Sequence, residues 1–325
     1  MAFKKPDSIA LGTKFLFFGG AGTRKTRTAL TFPKLAYIDT DQSADSYLEE
    51  FKDNISIYSD STTYAEVIDD LNEIQNHLDE ISTIVIDSDT KIYENQQHAA
   101  LKVAEQRAIK NRRLKEGEGL SPKEYQIIRL RHDQMLAKAF EYKKDSKDII
   151  VICESKDQKE MVSDGNGGMV YKTVGTVPNT DKGVEYDFDV VLEFLKDDDG
   201  KFIGAKVHKD RLGVTEEGEI IENPSYEIWK DALERKKKGK VKAEKRDFEK
   251  DIKSDASTFY ADSETVEIQK TIDAISDIID ELDDDKKKEL STMLKEKFKT
   301  SKYREVTDIK ILKEMFEVAE SIKNK

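Results

Sequence analysis

Along the first part of the chain, short apolar runs closed by polar turns alternate with stretches whose apolar residues recur at helical spacing. Phe15-Leu16-Phe17-Phe18 reads as a buried strand, a glycine-rich turn follows it, and a helical pattern runs from Arg27 to Phe32. Leu35 to Ile38 is a second strand ending in Asp39-Thr40-Asp41, and Ile55 to Tyr58 is a third. Thr63 and Glu66 make a capping box, which opens a helix with Tyr64, Val67, Ile68, Leu71, Ile74 and Leu78 on one face. Ile81 to Ile86 is another apolar strand, closed by Asp87 and Ser88. This alternation predicts an α/β fold with a mostly parallel sheet and helices on both faces.

From Lys91 to Tyr142 the pattern is helical and charged, interrupted by a loop at 111–119. Asp148 to Cys153 is the next buried strand. Met161-Val162 and Met169-Val170-Tyr171 flank Asp164-Gly165-Asn166-Gly167-Gly168, a hairpin signal. A second hairpin pairs Asp189 to Leu195 with Phe202 to Val207 across Asp197-Asp198-Asp199-Gly200, and Trp229 and Leu233 close the domain. Lysine dominates from Arg235 to Lys253 without a sustained apolar face, so this stretch reads as a linker. Three amphipathic stripes follow: Ile268, Ile272, Ile275, Ile279 and Leu282; Leu290, Met293, Leu294 and Phe298; and Ile309, Leu312, Met315, Phe316, Ala319 and Ile322. Helices of this kind pack into a small bundle. The expected organisation is a core at 1–233, a linker at 234–262 and a helical module at 263–325.

Composition narrows the function classes. The 325 residues are 37% hydrophobic and 38% charged, which leaves part of the chain as exposed helix or linker. A net charge of −12 argues against a protein held on nucleic acid by its overall field, though a local basic groove stays compatible with it. The single cysteine, Cys153, excludes an intramolecular disulfide framework, and the four histidines have no metal-ligand spacing. With no long apolar run and no signal-peptide pattern, a soluble, cytoplasmic protein is expected, without a membrane partner.

The chemistry begins at the turn after the first strand. Gly19-Gly20-Ala21-Gly22-Thr23-Arg24-Lys25-Thr26 has the layout of a phosphate-binding loop, with Arg27 continuing into the helix. Backbone N–H groups of such a loop wrap a β-phosphate, Lys25 reaches the β- and γ-phosphates, and the Thr26 hydroxyl ligates Mg²⁺. ATP and Mg²⁺ are therefore the expected cofactors. Arg24 stands where the pattern has its last glycine. A side chain in the left-handed conformation costs roughly 1 kcal/mol or more, so either the loop relaxes or the guanidinium turns toward the phosphates. Asp87, ending an apolar strand at the same sheet edge, is the candidate acid for the metal's water shell, and Asp41 a candidate for orienting the attacking water. For each acid the plainer alternative is a strand-end or turn-forming carboxylate.

These segments resemble a known family. Ala36-Tyr37-Ile38-Asp39-Thr40-Asp41 is similar to the RecA segment in which a strand ends in Ile-Asp-Ala-Glu and the Glu activates water; Asp41 occupies that position, one methylene shorter. Ile84-Val85-Ile86-Asp87-Ser88 resembles the RecA Walker B strand, and Cys153-Glu154-Ser155 falls at the end of a sensor strand. More narrowly, residues 12 to about 232 resemble phage ATPases of the Sak type, which have RecA-like cores and are linked to single-strand annealing and recombination. Lys209-Asp210-Arg211 is part of that likeness, which implies a homo-oligomer in which Arg211 serves a neighbour's nucleotide. It also implies single-stranded DNA contact through two loops. One is the 107–115 region with Arg107, Lys110, Arg112, Arg113 and Lys115; the other is 156–178 with Lys156, Lys159, Tyr171 and Lys172.

The expectation is thus an ATP-hydrolysing protein with a RecA-like core, acting in phage recombination on single-stranded DNA. The C-terminal helices suit a protein partner. Two other readings stay open: a nucleotide-gated scaffold with little hydrolysis, and a replicative helicase-type motor.

Overall fold

The computed structural model describes residues 9–110, 119–163, 168–239, 241–242, 248–259 and 264–323. Arg112, Arg113, Lys115 and the hairpin tip at 164–167 lie outside the described residues. The chain divides into two compact units, Met1–Arg246 and Asp247–Lys325.

The strands of the first unit are β1 (Ile9–Ala10), β2 (Lys14–Gly19), β3 (Leu35–Asp39), β4 (Ile55–Ser59), β5 (Thr83–Asp87), β6 (Asp148–Ser163), β7 (Met169–Pro178), β8 (Val190–Lys196), β9 (Phe202–Asp210), β10 (Ile220–Ile221) and β11 (Val241–Lys242). Its helices are α1 (Lys25–Ala29), α2 (Leu48–Phe51), α3 (Tyr64–Glu73), α4 (Asp89–Lys110), α5 (Pro122–Glu141) and α6 (Tyr226–Lys237). β4, β3, β5, β6, β2 and β8 lie side by side and parallel, β9 and β10 add antiparallel strands beyond β8, and β7 pairs antiparallel with β6. The expected α/β fold, with a mostly parallel sheet and C-terminal helices, is what the chain forms.

Period-two alternation sorts the strand residues between two cores. Leu16 and Phe18 face one side, packing with Ile84, Ile86, Val151, Val67, Leu71 and Met135. Phe15 and Phe17 face the other with Tyr37, Val85, Ile152, Leu30, Phe32 and Trp229. Parallel strands buried on both faces read as unbroken apolar runs, which explains the Phe15–Phe18 pattern. The capping box of Thr63 and Glu66 opens α3 as expected, and an unforeseen one, Ser121 with Glu124, opens α5 just ahead of Pro122.

β6 differs from its expected length. Its first six residues are buried and the rest of the strand is largely exposed, so it leaves the sheet and continues as one arm of a hairpin with β7. The expected loop at 156–178 is therefore mostly ordered two-stranded structure. Antiparallel pairing of β6 with β7 sustains it, with Met161 opposite Tyr171 and Glu160 opposite Lys172.

The lysine-rich stretch also begins differently. α6 runs on to Lys237, and its last lysines join an ion network at the amino-terminal edge of the sheet. Asp148 accepts the Thr13 N–H at 2.9 Å and pairs with Lys237 at 2.5 Å. Asp189 accepts the Lys14 N–H at 3.1 Å and pairs with Lys143 at 2.9 Å and Lys236 at 3.5 Å. These lysines are held by acids distant in sequence, which no local pattern reveals.

In the second unit, α7 (Phe248–Phe259) precedes α8 (Glu264–Glu281), α9 (Asp284–Phe298) and α10 (Ile309–Lys323). Ile272, Ile275, Ile278, Leu282, Leu290, Leu294, Leu312, Met315, Val318, Ala319 and Ile322 form its core. Ile279, assigned to the first stripe, is only partly buried, and Ile278 is buried beside it. No helix among the described residues is long and apolar enough to cross a membrane.

Lys14 gives the edge network a measurable signature. Burial, then the neighbouring Lys143, push its ammonium down from 10.5 to about 8, while Asp189 and Asp187 oppose the shift. A lysine with a lowered folded pKa weighs against the fold wherever it must be charged. The cost is full below pH 8 and disappears as pH rises toward 10.5. Lys14→Met should therefore stabilise the protein at pH 7 by on the order of 1–2 kcal/mol after solvent screening. Urea unfolding at pH 7 and pH 10 checks this; a gain that fails to shrink at the higher pH contradicts it.

Candidate nucleotide-binding site

The carboxyl ends of the parallel strands bring Gly19, Asp39, Asp87 and Glu154 to one edge. Gly19 lies opposite Glu154 in register, and Asp39 opposite Asp87. β6 separates the loop-bearing β2 from β5, so Asp87 is one strand further from the loop than its neighbour in the sheet.

The loop's backbone is fixed by sterics. Gly19 has φ 155°, and a Cβ there would lie 2.4 Å from the Phe194 carbonyl oxygen. Arg24 sits at φ 69°, ψ 18°, so the left-handed turn is kept with an arginine in it. The guanidinium lies over the Phe202 ring, 5.0 Å from its centroid. The loop does not relax around Arg24, and its side chain lies against β9. A cation–π contact of this kind contributes about 0.5–1 kcal/mol, comparable to the backbone cost it offsets. Gly22 has φ 66°, Ala21 is exposed, and the buried Thr23 hydroxyl donates to the Gly20 carbonyl at 2.8 Å.

Lys25 Nζ donates to the Gly19 and Gly20 carbonyls, each at 2.9 Å. Burial lowers its pKa, opposed by Asp87 and Glu154. The Thr26 hydroxyl donates to Asp87 Oδ2 at 2.6 Å, and the Tyr37 hydroxyl donates to the same oxygen at 2.7 Å. Ser43 Oγ lies 3.5 Å from Thr26 Oγ1 and 3.4 Å from Asp87 Oδ2. Burial pushes Asp87 up to about 6, and the two hydroxyl donors hold it from rising further. Hydroxyl and carboxylate oxygens are the hard donors that Mg²⁺ takes beside phosphate, so Thr26 and Asp87 fit it, with Ser43 close by.

A family model described as an AAA domain matches residues 11–217. The chain belongs to the AAA-domain family. These are P-loop NTPases, so residues 11–217 form a nucleotide-binding core, and the loop and buried acid above are its candidate site. No curated protein matches the chain in sequence.

Within this AAA domain the remaining candidates are placed unevenly. Asp41 is exposed, and its Oδ1 accepts the Ser43 N–H at 3.0 Å. Asp39, buried, accepts from the Ser43 and Ala44 N–H groups at 3.1 and 3.0 Å and from the Tyr58 hydroxyl at 3.0 Å, so it organises the turn that carries Ser43. Arg27 turns from the loop to a two-pronged pairing with Glu50, at 2.9 and 2.5 Å. Arg211 lies at the opposite, amino-terminal edge, where Asp210 pairs with Val190, and its guanidinium is 3.9 Å from Asp189. It cannot reach the phosphate loop of its own chain.

A buried group lies directly behind the site, and sequence reasoning missed that His132 belongs to it. Asp89 accepts from His132 Nε2 at 2.8 and 2.9 Å and from the Thr180 hydroxyl at 2.6 Å, with the Cys153 thiol at 3.8 Å. Burial works against the Asp89 charge, but His132 outweighs it and holds the carboxyl below its usual range. Burial likewise opposes charge on His132, and Asp89 raises its pKa overall. The Thr90 hydroxyl, next in the chain, donates to the Asn179 carbonyl at 2.8 Å and accepts the Glu154 N–H at 2.9 Å. The turn after Asp87 thus grips both strands of the β6–β7 hairpin at its root. The Asp-Ser-Asp-Thr run at 87–90 carried the only local hint.

Along the hairpin, Lys159, Tyr171 and Lys172 are exposed, whereas Lys156 donates to the Thr180 carbonyl at 3.1 Å. Arg107 lies 3.7 Å from Glu124 at the start of α5.

Two neighbouring glycines separate loop sterics from composition. Gly19→Ala should lower the unfolding midpoint and abolish nucleotide binding, because the Phe194 carbonyl cannot withdraw from the sheet. Gly20→Ala meets nothing within 4 Å and should leave stability within about 0.5 kcal/mol. Thermal unfolding of both variants is the check, and equal destabilisation would contradict the geometry.

Proposed function

We propose that the protein is a Mg²⁺-dependent ATPase acting on single-stranded DNA in phage recombination or strand annealing, and that it works as a homo-oligomer. The observation that carries the ATPase reading is the 2.6 Å hydrogen bond between Thr26 and the buried Asp87 at the head of the loop. Mg²⁺ there would take the Thr26 oxygen and, through its water shell, Asp87, and would neutralise charge on the β- and γ-phosphates. Lys25 would exchange its two carbonyl partners for phosphate oxygens. Asp41 would orient the attacking water, with Glu154, across from Gly19 and paired with Lys91 at 2.9 Å, also at this edge.

Support for DNA is the exposed hairpin arm rooted at the Walker B turn, with Lys159, Lys172 and the 71%-exposed Tyr171 along it. Arg211, far from its own loop, is proposed to serve a neighbouring subunit. The helices of 264–323 are proposed as a module for a protein partner. The specific observation favouring a scaffold with little hydrolysis is that the Asp41 carboxylate is engaged by its own turn.

ATP turnover measured with and without single-stranded DNA tests the reading. Wild type should hydrolyse ATP faster with DNA, and Lys25→Ala should lose at least about tenfold in turnover, the loss of a phosphoryl-stabilising cation. Tight ATP binding with no turnover under either condition would favour the scaffold.

A further inference from the structure

The phosphate loop has two sides, and only one is occupied by the metal chemistry. Thr26, Asp87 and Ser43 gather toward β5 and β3, which makes that side the γ-phosphate end. The opposite side faces β8 and β9. There Lys196 ends β8 with its Nζ 3.2 Å from where a Gly22 Cβ would stand, and Phe202 opens β9 beneath the Arg24 guanidinium. A triphosphate lying along the loop with its γ end at Asp87 carries its nucleoside toward Arg24 and Phe202. A cavity of about 190 Å³ opens at that place, lined by Arg24, Arg27, Thr28, Phe202, Asn223 and Pro224.

We infer that Arg24 and Phe202 form the nucleobase subsite of this loop, so that Arg24 recognises the base and not the phosphates. The inference rests on the nucleotide reading above and assigns the residues that would distinguish a nucleoside triphosphate from a bare polyphosphate. Three observations converge on it. Arg24 replaces the one loop glycine whose backbone conformation it nonetheless adopts, so its side chain is retained against a steric cost. Among the described residues its guanidinium has no carboxylate partner and lies over an aromatic ring, 5.0 Å from the centroid, and a guanidinium–aromatic pair is a stacking platform for a planar base. The cavity beside the pair is smaller than the roughly 300 Å³ at which pockets enclose drug-sized ligands, which suits one heterocycle with the sugar left toward solvent. Asn223, exposed on the rim, offers a carboxamide donor and acceptor to the base edge. Stacking of this kind is tolerant of the base, so selectivity among bases falls to Asn223.

Isothermal titration of ATP and of inorganic tripolyphosphate, each with Mg²⁺, tests the assignment on wild type, Phe202→Ala, Phe202→Leu, Arg24→Gly and Lys25→Ala. Arg24→Gly and the Phe202 variants should weaken ATP about five- to tenfold and leave tripolyphosphate within twofold. Lys25→Ala should weaken both ligands together. Arg24→Gly removes an exposed side chain and leaves a residue that adopts the left-handed turn freely, so it carries the test even where truncating Phe202 disturbs β9. The inference is overturned if Arg24→Gly leaves ATP affinity unchanged, tightens it, or weakens ATP and tripolyphosphate in equal proportion. Wild type that binds neither ligand would overturn the nucleotide reading itself, a result distinct from a failure of the base subsite.

Discussion

Burying a carboxylate at the end of a parallel strand is unfavourable unless donors meet it, and Asp87 is met by hydroxyls from two other elements. Tyr37 reaches it from β3 and Thr26 from α1, so one oxygen ties together the loop, the neighbouring strand and the strand it terminates. The residues around it are arranged to make that meeting possible. The turn after β3 is folded by Asp39 so that Ser43 also faces the same oxygen, and the Thr40 hydroxyl accepts the Ser88 N–H at 2.8 Å just beyond it. Burial raises the pKa of the Asp87 carboxyl, and the two hydroxyl donors offset part of that shift.

The same turn extends its reach outward. Asp89 and Thr90 follow Asp87 immediately, and they hold His132 on α5, Glu154 on β6 and the Asn179–Thr180 segment after β7. The hairpin that projects beyond the sheet is therefore anchored within a few residues of the metal-side acid. At the other edge, Asp148 and Asp189 gather lysines from α6 and from the segment after α5, closing the sheet where the chemistry is absent. The two edges are both built from strand-end acids, but Asp148 and Asp189 are paired with lysines whereas Asp87 is met by hydroxyls.

Legibility in the sequence followed the range of the interaction. Phe15 to Thr26 was readable because strand, turn and helix are contiguous and each has a local chemical signature. Asp87 was readable because a parallel strand buried on both faces is an uninterrupted apolar run, and the acid that closes it stands out. Tyr37 read only as a strand residue, since nothing local says that its hydroxyl meets Asp87. His132 looked like one of several scattered histidines for the same reason: its partner is on another helix. Lys236 and Lys237 looked like solvated linker because their carboxylates come from strands far away in the chain.

Arg24 divides the two kinds of knowledge most clearly. The sequence by itself determined the α/β alternation, the loop, its terminal Lys25-Thr26, the strand-end acid and the amphipathic stripes of the C-terminal helices, because each is set by local sterics and periodicity. It also determined that an arginine must adopt a glycine's conformation or distort the loop. Which way that guanidinium points depends on Phe202, which belongs to a hairpin the local turn predicts but whose place beside β2 no local pattern encodes. Tertiary structure alone decided that, as it decided the separation of Arg211 from its own loop, because strand order fixes what lies at each edge of a sheet and strand order is a property of the whole fold.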